Sequence, residues 1–158
     1  MEKTNAIRQL DAKKINYKFH DYTSSGAVSA LEVASFLGMN PDMVYKTLVT
    51  VGKSKKNYVF VIPATKELDL KKAAKAVNEK SIDMLPSKEL LPLTGYVHGG
   101  CSPIGMKKFF PTTFDISLEA LDVVAFSAGK IGYNVEVNVK DISKLFRYQT
   151  ADVVKGEE

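Results

Sequence analysis

The stretch of the chain richest in potential chemistry is TGYVHGGCSPIGMKKF, where Gly95, Gly99, Gly100 and Gly105 fall within eleven positions. Glycine permits positive φ and close backbone approach, so such a loop can turn several N–H groups toward one point. Converging backbone donors could hold a phosphate, or the oxyanion of an ester under attack. Ser102 adds a hydroxyl, Pro103 stiffens the exit, and Lys107 and Lys108 add positive charge. The spacing is neither GxGxxG nor a P-loop, so a tight turn between strands explains the glycines equally well.

Cys101 in this loop is the single cysteine of the chain. As a nucleophile it needs a base, because a free thiol titrates near ~8.5. His98 is nearest, but three residues away along an extended segment it points to the opposite face. His20 is remote in sequence. Cys101 therefore reads first as a small apolar filler. Lys46 stands in the apolar run VYKTLV, either as an edge charge that discourages aggregation or as a partner for an anionic ligand. Asp141, ahead of Ile142 to Phe146, reads as a helix N-cap before it reads as a site residue.

The elements that must position these residues follow from periodicity and punctuation. Residues 4–14 suit a helix with Ile7 and Leu10 on one face, and Ile15 to Asp21 a first strand. Ser29 with Glu32 forms a capping box for a second helix that Gly38 stops, with Val33, Ala34 and Leu37 facing inward. Val44 to Val51 and Tyr58 to Ile62 form a hairpin around GKSKKN. Asp69 caps a helix over 70–78 whose buried stripe is Leu70, Ala73, Ala74 and Val77. A short strand near Ile82 to Leu85 precedes a helical turn at Ser87 to Leu90. Strands follow near Thr113 to Ile116, Val123 to Phe126 and Asn134 to Val139, then a closing helix from Asp141 to Phe146. The terminal GEE should fray. Hairpins mixed with crossovers predict an α+β fold, a mixed sheet with helices around it, as one domain over 1–158.

With 45% hydrophobic and 25% charged residues, the 158-residue chain has the balance of a globular protein, not of a disordered or fibrous one. One cysteine excludes an internal disulfide and a multi-cysteine zinc site, and fits a reducing compartment. No apolar run approaches a membrane span and the N-terminus lacks a signal-peptide core, so the expected location is cytoplasmic. The formal charge is +4, and of 22 basic residues only Arg8 and Arg147 are arginine. Lysine is a hydrated point charge, suited to attracting phosphate without planar base readout.

Several motifs in this order resemble a known family. The TNAIRQL opening, the strand ending near Tyr22, YKTLV around Lys46, LKKAAKAV, TGYVHGGCSPIG, GKIGYNVEV and the Asp141 region are similar to the bacterial YbaK/EbsC proteins. These are stand-alone Cys-tRNA(Pro) deacylases related to the editing domain of prolyl-tRNA synthetase. The resemblance implies a curled, barrel-like mixed sheet and hydrolysis of the ester joining a mischarged amino acid to a tRNA 3′ end. It implies catalytic roles for Lys46 and for the backbone of Gly100, Cys101 and Ser102. Tyr22, Thr47, Gly99 and Asp141 would line the substrate pocket. No cofactor or metal is expected. The implied partners are the aminoacyl-tRNA 3′ end and prolyl-tRNA synthetase, with no membrane and no DNA.

The chemistry implied is attack by the substrate's own cysteine thiol on its ester carbonyl, an intramolecular step with high effective concentration. Two readings stand beside it: a deacylase for another mischarged tRNA such as Ala-tRNA(Pro), and a non-catalytic module that binds tRNA or a synthetase. The chain departs from the family where many members have GGKRG and it has Ala128-Gly129-Lys130-Ile131-Gly132. That removes an arginine suited to a phosphate contact. Relatives often carry a larger aliphatic residue at Cys101, which argues against an indispensable thiol. Two arginines offer little for reading an anticodon, so weak, sequence-independent tRNA contact is expected.

Overall fold

Thr4 opens the first helix, α1 (Asn5–Ala12), by accepting a hydrogen bond from the Ile7 amide, and Ala6, Ile7 and Leu10 form its buried face. The computed structural model describes residues 1–27 and 29–156; Glu157 and Glu158, within the segment expected to fray, lie outside the described residues. Strand β1 (Tyr17–Asp21) leads to α2 (Ala30–Leu37). Here the capping box forms as expected: Ser29 Oγ accepts from the Glu32 amide and the Glu32 carboxylate accepts from the Ser29 amide. Gly38, at φ +68°, ends the helix in the left-handed conformation.

A 3-10 turn (Pro41–Met43) delivers the chain to β2 (Tyr45–Gly52), which pairs antiparallel with β3 (Asn57–Pro63). Asp69 caps α3 (Leu70–Ala76) by accepting from the Lys71 and Lys72 amides. Ala73 and Ala74 are buried beneath it, whereas Leu70, in the first turn, is 39% exposed and does not join the expected stripe. Next come β4 (Ile82–Met84) and α4 (Ser87–Thr94), longer than the single turn expected and ended by Gly95. Then follow β5 (Thr112–Asp115), a 3-10 segment (Ile116–Ala120), β6 (Val123–Ser127) and β7 (Tyr133–Asn138). The closing helix is a 3-10 segment, Val139–Lys144, with Asn138 at its cap. Asp141 lies inside its first turn, which corrects the N-cap reading. A last strand, β8 (Gln149–Ala151), was not expected.

The α+β class holds, and the sheet curls without closing into a barrel. One sheet has the order β1-β7-β6; the other, mixed, has the order β4-β2-β3-β5-β8 with β5 parallel to both neighbours. A single parallel bridge, Val44 to Ala125, joins them. The main core lies within the curl: Ile7 and Leu10 from α1 meet Val49, Val59, Val61 and Phe114 of one sheet and Val124, Phe126, Val135 and Val137 of the other. A second cluster around Phe60, Ile62 and Ile82 supports α3, and a small third one (Val33, Ala34, Val44) supports α2. Among the described residues no helix is long and apolar enough to cross a membrane.

Candidate active site

The site arises where the two sheets part. Strands β2 and β6 meet at the Val44–Ala125 bridge and leave it in the same direction. The Ala64 amide donates to the Val44 carbonyl and the Gly52 amide to the Lys56 carbonyl, so even-numbered residues of β2 bond toward β3. The amide and carbonyl of Thr47 therefore project from the opposite edge. That edge is paired with β4 only at Thr50–Gly52, which leaves a wedge between β2 and β6. The wedge is a cleft of about 640 Å³ whose walls include Tyr22, Lys46, Thr47, His98, Gly99, Cys101, Ser127 and Asn134. A more open depression of about 740 Å³, around Lys144, Arg147 and Tyr148, contains none of the expected site residues.

The glycine loop supplies one end of the cleft. Gly99 has φ +87°, a conformation that side chains resist. At Gly100 the constraint is space: a Cβ there would lie 2.9 Å from the Ile131 amide nitrogen and 3.1 Å from the Lys130 carbonyl carbon. Ser127 clamps this approach, its Oγ donating to the Gly100 carbonyl at 2.9 Å while accepting from the Gly129 amide at 3.1 Å. The Gly100 amide donates to the Val97 carbonyl at 3.0 Å, so it is already engaged and is not a free oxyanion donor. That same turn carries His98 and Cys101 to one cleft. The extended-segment argument that set them on opposite faces fails because the backbone reverses between them.

Proximity does not make a thiolate. Cys101 is 7% exposed, and burial pushes its thiol up to about 12, so it is protonated near neutrality. Ser102 is fully buried outside the cleft wall, its Oγ accepting from the Ile104 amide. Asp141 is also outside the cleft: its carboxylate bonds to Lys144 at 2.8 Å, which holds it below the usual carboxylate range.

Lys46 pairs in register with Ile62 and so stands on the opposite face of β2 from Thr47, with both flanking the open edge. Partial burial lowers its pKa, against the opposing pull of Glu67. The edge and ligand readings of Lys46 coincide here, since the local edge of β2 is the cleft wall. Tyr22, just past β1, packs against Phe36 of α2 with ring centroids 6.2 Å apart, and burial raises its pKa. The structure thus gathers Tyr22, Lys46, Thr47, Gly99 and Cys101 and leaves Ser102 and Asp141 elsewhere. Ser127 and Asn134 are cleft residues that sequence reasoning missed. Asn134 occupies a polar slot in the alternation of YNVEVN, a pattern that normally marks a solvent-facing position.

Residues 24–145 match the model of the aminoacyl-tRNA editing domain. The chain belongs to that family. It is 43% identical over 157 residues to EbsC of Enterococcus faecalis, provisionally named a Cys-tRNA(Pro)/Cys-tRNA(Cys) deacylase, with 99% of this chain and 96% of that protein covered. It is 24% identical over 144 residues to a proline–tRNA ligase of Thermodesulfovibrio yellowstonii, covering 91% of this chain but 24% of that longer enzyme. The fold superposes with a TM-score of 0.83 on a crystal structure described as a candidate trans-editing enzyme for prolyl-tRNA synthetase. Sequence identity there is 24%, with 99% of this chain and 100% of that one covered. In this editing domain the family-matched region spans β2, the glycine loop, β6 and β7, the elements that wall the cleft.

Proposed function

We propose that the protein is an aminoacyl-tRNA deacylase that clears Cys-tRNA(Pro), with Cys-tRNA(Cys) as a second substrate. The observation that carries the reading is the 43% identity over 99% of the chain to a relative named for that activity. The cleft fits a short ester-linked residue at a tRNA end. Its own thiol is held protonated by burial, which favours a nucleophile brought by the substrate. In that chemistry the cysteinyl sulfur attacks the ester carbonyl carbon and the C–O bond to the terminal ribose breaks. The thiol proton passes to the departing ribose oxygen. The products are tRNA with a free 3′ hydroxyl and a β-thiolactone, which water opens to cysteine.

The protein's part is to hold the chain so that sulfur and carbonyl meet, and to meet the developing oxyanion with the amides at Cys101 and Ser102. Lys46, a point charge at the cleft border, attracts the terminal phosphate. Prolyl-tRNA synthetase is proposed as the source of tRNA selectivity, since a small lysine-rich surface has little means of base readout.

The test is deacylation of a panel of cysteinyl-, seryl-, alanyl- and prolyl-tRNA(Pro), with and without prolyl-tRNA synthetase. Cleavage confined to the cysteinyl ester is expected. Equal cleavage of the seryl ester would exclude substrate-thiol chemistry, and preference for the alanyl ester would assign a water-using reaction. Salt-sensitive binding of tRNA with no cleavage at all would make the protein a binding module.

A further inference from the structure

Two polar atoms in the cleft lack partners among the described residues: Asn134 Oδ1 and Thr47 Oγ1. Both residues line the cleft, one on each side of the wedge. Asn134 is 3% exposed, so its carbonyl oxygen is cut off from bulk water. A buried acceptor left unpaired is costly, and such an atom aimed into a cavity asks for a donor from the ligand.

The surroundings narrow the donor. Ser127, opposite Asn134 in the β6–β7 register, is fully committed to Gly100 and Gly129. The Thr47 carbonyl projects from the free edge of β2 and adds another acceptor. Glu136, two residues along β7, shares the face of Asn134 and carries a carboxylate 13% exposed, bonded to His20 at 2.8 Å. The Lys46 side chain stands on the other face of β2 from Thr47. Several acceptors and a nearby carboxylate, with the lysine set aside, describe a receptor for a cationic group with more than one N–H.

We propose that Asn134 Oδ1, together with Thr47, receives the α-ammonium group of the aminoacyl ester. This rests on the deacylase reading and deepens it. Holding the ammonium fixes Cα, and with it the carbonyl and the side chain that must meet. Asn134 is then a substrate-binding residue that selects esters of free amino acids over N-blocked ones, such as peptidyl-tRNA.

The experiment compares cysteinyl-tRNA(Pro) with N-acetylcysteinyl-tRNA(Pro) in the wild type, Asn134→Ala and Asn134→Asp. A hydrogen bond to a charged group supports a loss of about 10–100-fold in kcat/KM for Asn134→Ala on the free-amine substrate. The N-acetyl substrate should be unaffected by that substitution, so discrimination collapses. Asn134→Asp keeps the acceptor and the shape and should keep the discrimination. An equal loss on both substrates, or no preference in the wild type, overturns the proposal. If Asn134→Ala fails to fold, judged by its melting transition, the wild-type preference and its retention in Asn134→Asp decide the matter. If the wild type cleaves neither ester, the deacylase reading falls. Calorimetry with 3′-deoxy-3′-(cysteinylamino)adenosine and its N-acetyl form then tests the ammonium site alone. Tighter binding of the free amine supports it, and equal binding refutes it.

Discussion

The thiol of Cys101 borders the cleft, yet its burial keeps it protonated at physiological pH, with its pKa pushed up to about 12. A thiol in that state cannot attack an ester, whatever its distance from His98. We therefore expect Cys101→Ser to lower kcat by less than about tenfold, against the roughly 10⁶-fold that loss of a true nucleophile brings. Single-turnover deacylation of cysteinyl-tRNA measures this directly, and a collapse of the rate would return Cys101 to the catalytic role. At this scale the sequence was readable where a residue type announced its environment: a lysine inside an apolar strand, glycines crowded into a loop. Asn134 was not readable, because alternation along β7 gives it the same signature as the exposed side of any half-buried strand. Only the fold reveals that this side faces β2 instead of water. Ser102 misled for the opposite reason, since a hydroxyl among glycines looks available until the buried turn to Ile104 is seen.

Helix α2 contributes Ala30 and Val33 to the cleft while resting on a small cluster of its own, Val33, Ala34 and Val44. Little apolar surface holds it, so local opening should cost less there than in the main core. The capping box matters more under those conditions. Ser29→Ala should destabilise the helix by about 1 kcal/mol. If that cost appears in global unfolding, the melting temperature falls by about 2–4 °C. Hydrogen exchange at α2 amides should accelerate, and KM should rise more than kcat falls; unchanged exchange would show that tertiary contacts alone hold the helix. This cap was legible because it is local chemistry, an oxygen and a carboxylate three residues apart. The length of α4 was not, since Pro92 argues against a helix continuing through it. Nor was β8, whose three residues exist as a strand only because β5 offers an edge.

For the molecule as a whole, several carboxylates are held below their ordinary range by partners that exist only in the folded state. Asp69 accepts from the Lys72 and Lys71 amides, Glu79 bonds to Ser54 and Tyr58, and Asp141 bonds to Lys144. A folded pKa depressed below the unfolded value means that the stability is present above the unfolded value and is lost as pH falls through the folded one. The unfolded values are 3.8 for Asp and 4.5 for Glu, so the urea midpoint should hold near neutrality and drop below that window. Asp141→Asn should make the drop shallower; an unchanged acid limb would mean that its bond to Lys144 contributes nothing to folding. The chain's two sheets, meanwhile, touch along their edges at one bridge and part beside it. Any molecule lodged in that gap presses on both halves and acts as a rivet between them. At a hundred times its dissociation constant such a rivet adds about 2.7 kcal/mol to the folded state. The enzyme should therefore resist heat best when its acceptor-end ligand is bound, and a melting curve becomes a way to search for that ligand without measuring any reaction.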